Sequence, residues 1–187
     1  KYPVRIFFCM KLTSYIRTIK NQEKPLKFLL SIILIRLNLS QFFRIRRKGY
    51  SLKFYPSAYS RNLWINDKTS IPISDLIHDY LYEGDCIIDI GANVGIVSIE
   101  SSLAVGSKGK VYSFEPHPKI FSFLKGNIKK NNINNIEIFN IALGADKGEI
   151  LFSNIRSDEQ NYVIKNGNGI KVPMYCLDDI INEKKIS

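Results

Sequence analysis

The chain has 187 residues, 45% of them hydrophobic and 12% aromatic, which suits one globular domain with a sizeable core and excludes a disordered polymer. Its net charge of +10 is unevenly spread: the first 53 residues hold thirteen of the 27 lysines and arginines against one acid, Glu23, and the remainder is close to neutral. Three widely separated cysteines, Cys9, Cys86 and Cys176, argue against a disulfide framework and a zinc cluster and favour a reducing, cytoplasmic setting.

In chain order, Tyr2–Leu39 reads as helical with a break near Pro25. Within it, KFLLSIILIRLNL (Lys27–Leu39) has only 8 uninterrupted residues between the charges of Lys27 and Arg36, well short of the roughly 20 that span a bilayer. No small-residue cleavage site follows, so a secretory signal is not expected either. Two readings of residues 1–48 stand. One is an amphipathic helix that caps the main domain or mediates oligomer contacts. The other is a helix on an anionic membrane surface, helped by Arg44, Arg46, Arg47 and Lys48 within the basic region 1–53. A nucleic-acid partner is not expected, because no recognition motif accompanies the charge. The first residue is Lys1, which leaves the true N-terminus open, with Met10 among the candidates.

Residues 49–83 form a lead-in. GYSLKFYP (Gly49–Pro56) alternates like a strand, and Leu63–Ile65 is the expected hairpin partner. Pro72 suits the first turn of a helix carrying Leu76, Ile77, Tyr80 and Leu81 at helical spacing, with Gly84 beyond its end. His78 reads as a structural residue of that helix. Tyr55, Tyr59 and Trp64 read as core packing, with a roof over a ligand pocket as the alternative.

Residues 84–187 change rhythm. Strands are expected at Cys86–Asp89, Lys110–Phe114 and Ile136–Ile141, with helices at Val94–Ala104 and Pro118–Lys130 between them. That alternation is the pattern of βαβ units on a parallel sheet. Glu149–Ser153 and Ile170–Tyr175 then read as two strands around the turn cluster Asn166–Gly169, and a last helix starts at Leu177. NIKKNNINNIEIFN (Asn127–Asn140) reads as compositional bias without function.

The chemistry concentrates in CIIDIGANVGIVSIE (Cys86–Glu100). Gly91 and Gly95 bracket a turn directly after the first strand, where a glycine lets the backbone approach a ligand or take positive φ. The spacing is G-x-x-x-G, not the dinucleotide G-x-G-x-x-G. Asp89, two positions before Gly91, suits a ligand bearing a cation, such as the sulfonium and ammonium of S-adenosylmethionine. Glu115, at the end of the second strand, can accept hydrogen bonds from both ribose hydroxyls of an adenosine. Bland alternatives are a strand-end cap for Asp89, a surface residue for Glu115 and a simple left-handed turn residue for Asn93.

These stretches, with VPMYCLDDI (Val172–Ile180) after them, together resemble the FkbM family of S-adenosylmethionine-dependent methyltransferases over about Gly84–Ile181. The resemblance implies an α/β, Rossmann-like class I methyltransferase sheet: its first half, three parallel strands with flanking helices plus a β-hairpin insertion, behind a helical basic N-terminal segment. It also implies S-adenosylmethionine as cofactor and methylation of an oxygen on a sugar, glycan or other small-molecule acceptor. Asp89, Gly91, Asn93 and Gly95 would line the methionine side, Glu115 would hold the ribose, and Ala142 would meet the adenine through its backbone. The residues name no catalytic group, which is expected in the missing half, and no metal is expected; His117 reads as a solvent-exposed cap. In the family the LDD helix leads into a further strand, whereas here CLDDIINEKKIS ends the sequence, so a fragment with an incomplete core is expected. The alternative is a truncated, non-catalytic remnant that binds cofactor weakly or serves as a membrane-surface or scaffold module.

Overall fold

The computed structural model describes residues 19, 22–66, 72–154, 161–184 and 186. The helical expectation for residues 2–18 lies outside them.

Helix α1 (Pro25–Arg36) begins on proline, tolerated in a first turn where the N–H has no intrahelical acceptor. Its inner face sends Phe28 and Leu34 into the core, so the helix does cap the domain. The 1–48 segment is not helical throughout, however. After a 3-10 turn at Ser40–Phe42, β1 (Arg44–Arg46) pairs antiparallel with β2 (Ser51–Lys53), crossing the expected boundary at residue 48. Ile45 faces Leu52 across this pair, and both are fully buried.

That pairing corrects the expected hairpin. Leu63–Ile65 does not pair with β2 but lies in helix α2 (Ala58–Ile65). The Ser57 side chain accepts the Ser60 N–H at 3.0 Å and starts the helix there. Trp64 stacks on Phe54 with ring centroids 4.9 Å apart, and Tyr55 stacks on Phe123 at 4.2 Å, so both aromatics serve packing.

Helix α3 (Pro72–Tyr80) precedes the alternating core: β3 (Cys86–Ile90), α4 (Ile96–Val105), β4 (Lys110–Phe114), α5 (Pro118–Lys130) and β5 (Ile136–Phe139). The three strands form one parallel sheet in the order β3-β4-β5. Side chains alternate across β4. Ser113 meets Ser98 of α4, while Tyr112 and Phe114 pack with Ile180 on the opposite face. Among the described residues β3 pairs only with β4, leaving its other side unpaired.

The asparagine-rich stretch is not mere bias. Asn127, fully buried on α5, donates to the Val94 carbonyl at 2.8 Å and accepts the Lys53 N–H at 2.9 Å. Asn131 holds both the N–H and the carbonyl of Ser51, each at 2.9 Å. Asn135 donates to the Gly106 carbonyl at 2.8 Å and accepts the Ser102 hydroxyl at 2.6 Å. Short amide side chains here clamp polar groups of neighbouring elements to one another.

Beyond β5 a second sheet forms from β6 (Ala142–Leu143), β7 (Gly148–Ser153), β8 (Val163–Ile164) and β9 (Gly169–Tyr175), in the order β6-β9-β7-β8. The expected antiparallel hairpin is its centre, β7 on β9 from Gly148↔Met174 to Ser153↔Gly169. Helix α6 (Leu177–Lys184) then returns to the parallel sheet, where Lys184 pairs with Glu137 of β5 at 2.9 Å.

Candidate functional site

Because β3 and β4 run parallel, they deliver their carboxyl ends to the same edge of the sheet. There β3 passes into the turn Gly91–Gly95, and β4 is followed by Glu115. The Gly91 and Ala92 amides both donate to the Phe114 carbonyl, at 2.9 and 3.0 Å, and the Gly95 amide donates to the Ala92 carbonyl at 2.8 Å. Three of the five turn residues are left-handed: Gly91 at φ +79°, Asn93 at +48° and Gly95 at +94°. Glycine and asparagine are the residues that take this conformation most cheaply.

The two glycines answer different demands. A Cβ on Gly95 would stand 2.6 Å from Leu124 Cδ1 of α5, so the packing of the turn on α5 requires its absence. A Cβ on Gly91 would meet nothing within 4 Å. Gly91 therefore borders open space at the mouth of the turn.

Glu115 is buried, and its carboxylate is fixed from two directions. Oε2 accepts the Asn93 N–H and Oε1 accepts the His117 N–H, both at 2.9 Å. The Glu115 carbonyl is held as well, by Asn140 Nδ2 at 2.8 Å, and Asn140 reaches the Pro116 carbonyl at 3.0 Å. A carboxylate offers about four lone-pair sites, so each oxygen can accept more than one donor.

Asp89 is buried at the end of β3. Its Oδ2 accepts the Ser98 hydroxyl at 2.5 Å, and that hydroxyl accepts from Ser113 at 2.9 Å. Burial pushes the Asp89 pKa above its ordinary value, while hydrogen bonds from the Ser98 side chain and amide work against the shift. Among the described residues no cation lies within salt-bridge distance of it. A buried carboxylate with hydroxyl partners and no countercharge is suited to a cationic ligand group.

Two polar atoms nearby are buried without a partner, Asn93 Oδ1 and His117 Nδ1. His117 corrects the expectation of a solvent-exposed cap. It is buried, its side chain makes no cap bond to α5, and its Nε2 lies 3.2 Å from Asn154 Oδ1.

Of the six residues singled out from sequence, the structure thus gathers Asp89, Gly91, Asn93, Gly95 and Glu115 into one unit. Ala142 lies in β6, Cα-paired with Met174, two residues beyond the Asn140 that clamps Glu115 and Pro116. Sequence reading missed Ser98, Ser113 and Asn140. Ser98 carried a signal, a hydroxyl in the first turn of an apolar helix three residues after Gly95.

Residues 89–187, just over half of the chain, match the family described as the methyltransferase FkbM domain. The chain belongs to that family. It is 37% identical over 71 residues to a "probable cobalt-precorrin-6B C(15)-methyltransferase (decarboxylating)" of Sulfolobus acidocaldarius, covering 38% of this chain and 37% of the other. A protein of the same description from Saccharolobus solfataricus is 29% identical over 102 residues, covering 54% of this chain and 49% of the other. The match thus spans half or less of the length of these curated relatives. A solved protein-L-isoaspartate O-methyltransferase is 26% identical, with a TM-score of 0.38, over 60% of this chain and 41% of that one.

Proposed function

We propose that this FkbM-family chain carries the cofactor site of an S-adenosylmethionine-dependent methyltransferase that methylates an oxygen on a sugar, glycan or other small metabolite. The observation that carries the reading is Glu115, a buried carboxylate held by the Asn93 and His117 amides beside the glycine turn. In that position it would accept the two ribose hydroxyls. Asp89, lacking a cationic partner, would meet the positively charged methionine end, and the open space at Gly91 would let the backbone approach it. Asn93 Oδ1, buried without a partner, would accept a donor from the same ligand. When bound, the cofactor supplies an activated methyl group on its sulfonium. The work of these residues is to bind and orient, which is most of what a direct displacement needs. The oxygen acceptor rests on the family resemblance alone.

Calorimetric titration of S-adenosylmethionine into the chain, with Glu115→Ala and Asp89→Ala beside it, tests the site. Binding that both substitutions abolish supports it; binding of equal strength in Glu115→Ala would sink it. Mass-spectrometric detection of methylated products from sugar and glycan panels tests the acceptor class.

A further inference from the structure

Helix α1 is apolar on most sides, yet among the described residues only one side of it is covered. Phe28, Ser31 and Leu34 face the domain, whereas Leu26, Leu29, Leu30, Ile33 and Leu37 line the opposite side, Leu26 at 82% exposure and Leu37 at 61%. The stripe follows the i, i+3, i+4, i+7 rule of one helical face. Shortly after the helix Phe42 is also 74% exposed, on the 3-10 turn. An exposed apolar stripe along one helical face marks an interaction surface, not chance exposure.

The charges of the same stretch of chain select the partner. Lys24 and Lys27 turn towards the domain: Lys24 Nζ donates to the Ile65 carbonyl at 3.0 Å, and Lys27 Nζ lies 5.0 Å from the Trp64 ring centroid. Arg36, Arg44, Arg46 and Lys48 are exposed instead, and among the described residues none has a carboxylate within salt-bridge distance. Arg44 and Lys53 are register partners, and their charges, after burial, hold the Lys130 pKa below its ordinary value. No acid lies between Lys24 and Lys53. A second copy meeting this face symmetrically would bring like charges together. At about 18 Å the helix is too short to cross a bilayer, which leaves it in the interfacial plane.

We propose that the outer face of α1, with Arg36, Arg44, Arg46 and Lys48, docks this chain on an anionic lipid surface. The apolar side chains enter the headgroup boundary while the cations meet lipid phosphates. This docking is independent of the methyltransferase reading.

The test is co-sedimentation of the full chain with phosphatidylcholine vesicles, with and without one-third phosphatidylglycerol, at low and high salt. Binding is expected only to the anionic vesicles and is expected to weaken with salt. Arg44→Glu/Arg46→Glu should reduce it by at least about tenfold, given roughly fivefold per cation near such a surface, and Leu30→Ser/Ile33→Ser should reduce it several-fold by removing the inserted apolar area. The substituted side chains all lie at the surface, so thermal melting should be unchanged and reports any variant that misfolds. Failure to bind anionic vesicles would overturn the proposal. So would equal binding by wild type and folded variants, or a dimer in sedimentation velocity that the Leu30/Ile33 variant dissolves without any vesicle binding.

Discussion

The backbone amide of Asn93 donates to Glu115 Oε2 at 2.9 Å, tying the turn after β3 to the end of β4. Asn93 can aim that amide because it sits in the left-handed region, at φ +48°. The glycine turn and the acid are therefore one preorganised unit, and the partner amide of His117 fixes the other carboxylate oxygen. Preorganisation of this kind lowers the ordering cost that a ligand would otherwise bear.

Glu115→Ala should accordingly damage both binding and fold. The Asn93 and His117 amides lose their acceptor, which costs about 1–3 kcal/mol when buried groups are left unsatisfied. S-adenosylmethionine affinity should fall by at least about tenfold, the worth of roughly 1.4 kcal/mol. Glu115→Gln keeps one acceptor oxygen and sets an NH₂ against the other amide, so its melting temperature should fall between those of Glu115→Ala and the parent. Calorimetry and thermal melts on the same samples measure both effects.

Gly91→Ala and Gly95→Ala should separate ligand approach from packing. Each forces an alanine into left-handed φ, a strain of about 1–2 kcal/mol. At Gly95 the new methyl also collides with buried Leu124, adding about 1–3 kcal/mol of overpacking. At Gly91 it enters open space, so the stability cost should stop at the strain while cofactor affinity falls. Leu124→Ala should therefore cost less in the Gly95→Ala background than in the parent, whereas in the Gly91→Ala background its cost should be unchanged. Equal melting temperatures for the two single variants would contradict the distinction.

Asp89→Asn should exchange binding for stability. Burial holds the folded-state pKa of Asp89 above its ordinary value of 3.8, so the folded chain keeps the proton longer than the unfolded one. Its contribution to stability is then greatest below the ordinary pKa and falls as pH rises through the folded value. The variant, which cannot ionise, should melt higher than the parent at neutral pH, with the gap closing in acid. Melting curves across pH read this, and titration with S-adenosylmethionine should show weakened binding in the same variant.

Much of this could be read from residues near in sequence. The bounds of β4 and α5 match the expected Lys110–Phe114 and Pro118–Lys130, because alternation, an initial proline and a helical period are local signals. Asp89 and Glu115 were legible for the same reason, as acids at the ends of apolar strands. What failed depended on long-range placement. Asn127 clamps Val94 across 33 residues, and nothing near either residue announces it. The partner of β2 was misjudged because Arg44-Ile45-Arg46 is as short as Leu63-Trp64-Ile65. The decision lay in the burial of Ile45 on Leu52 and in the Ser57 cap that made the later stretch helical. The outer face of α1 was also hidden, since apolar residues on most sides of a helix do not reveal which side the domain covers.

A buried pair links the β1–β2 hairpin to α4 and makes the last prediction. Tyr50 donates its hydroxyl to Glu100 Oε1 at 2.6 Å, and Glu100 Oε2 is buried without a partner. Burial, followed by the Glu100 hydrogen bond and charge, raises the Tyr50 pKa far above its ordinary 10.0. Tyr50→Phe removes the donor and leaves a buried carboxylate unpaired, at a cost of about 1–3 kcal/mol. Glu100→Gln carries no charge to strand and should cost less. The pH dependence fixes the sign: a phenol with a raised folded pKa contributes fully below the unfolded value and loses that contribution as pH rises above it. The stability gap between the parent and Tyr50→Phe should therefore be constant at neutral pH and narrow in alkali. A gap that widens with alkali in denaturant titrations would mean that Tyr50 ionises more readily in the fold than outside it, contrary to this burial.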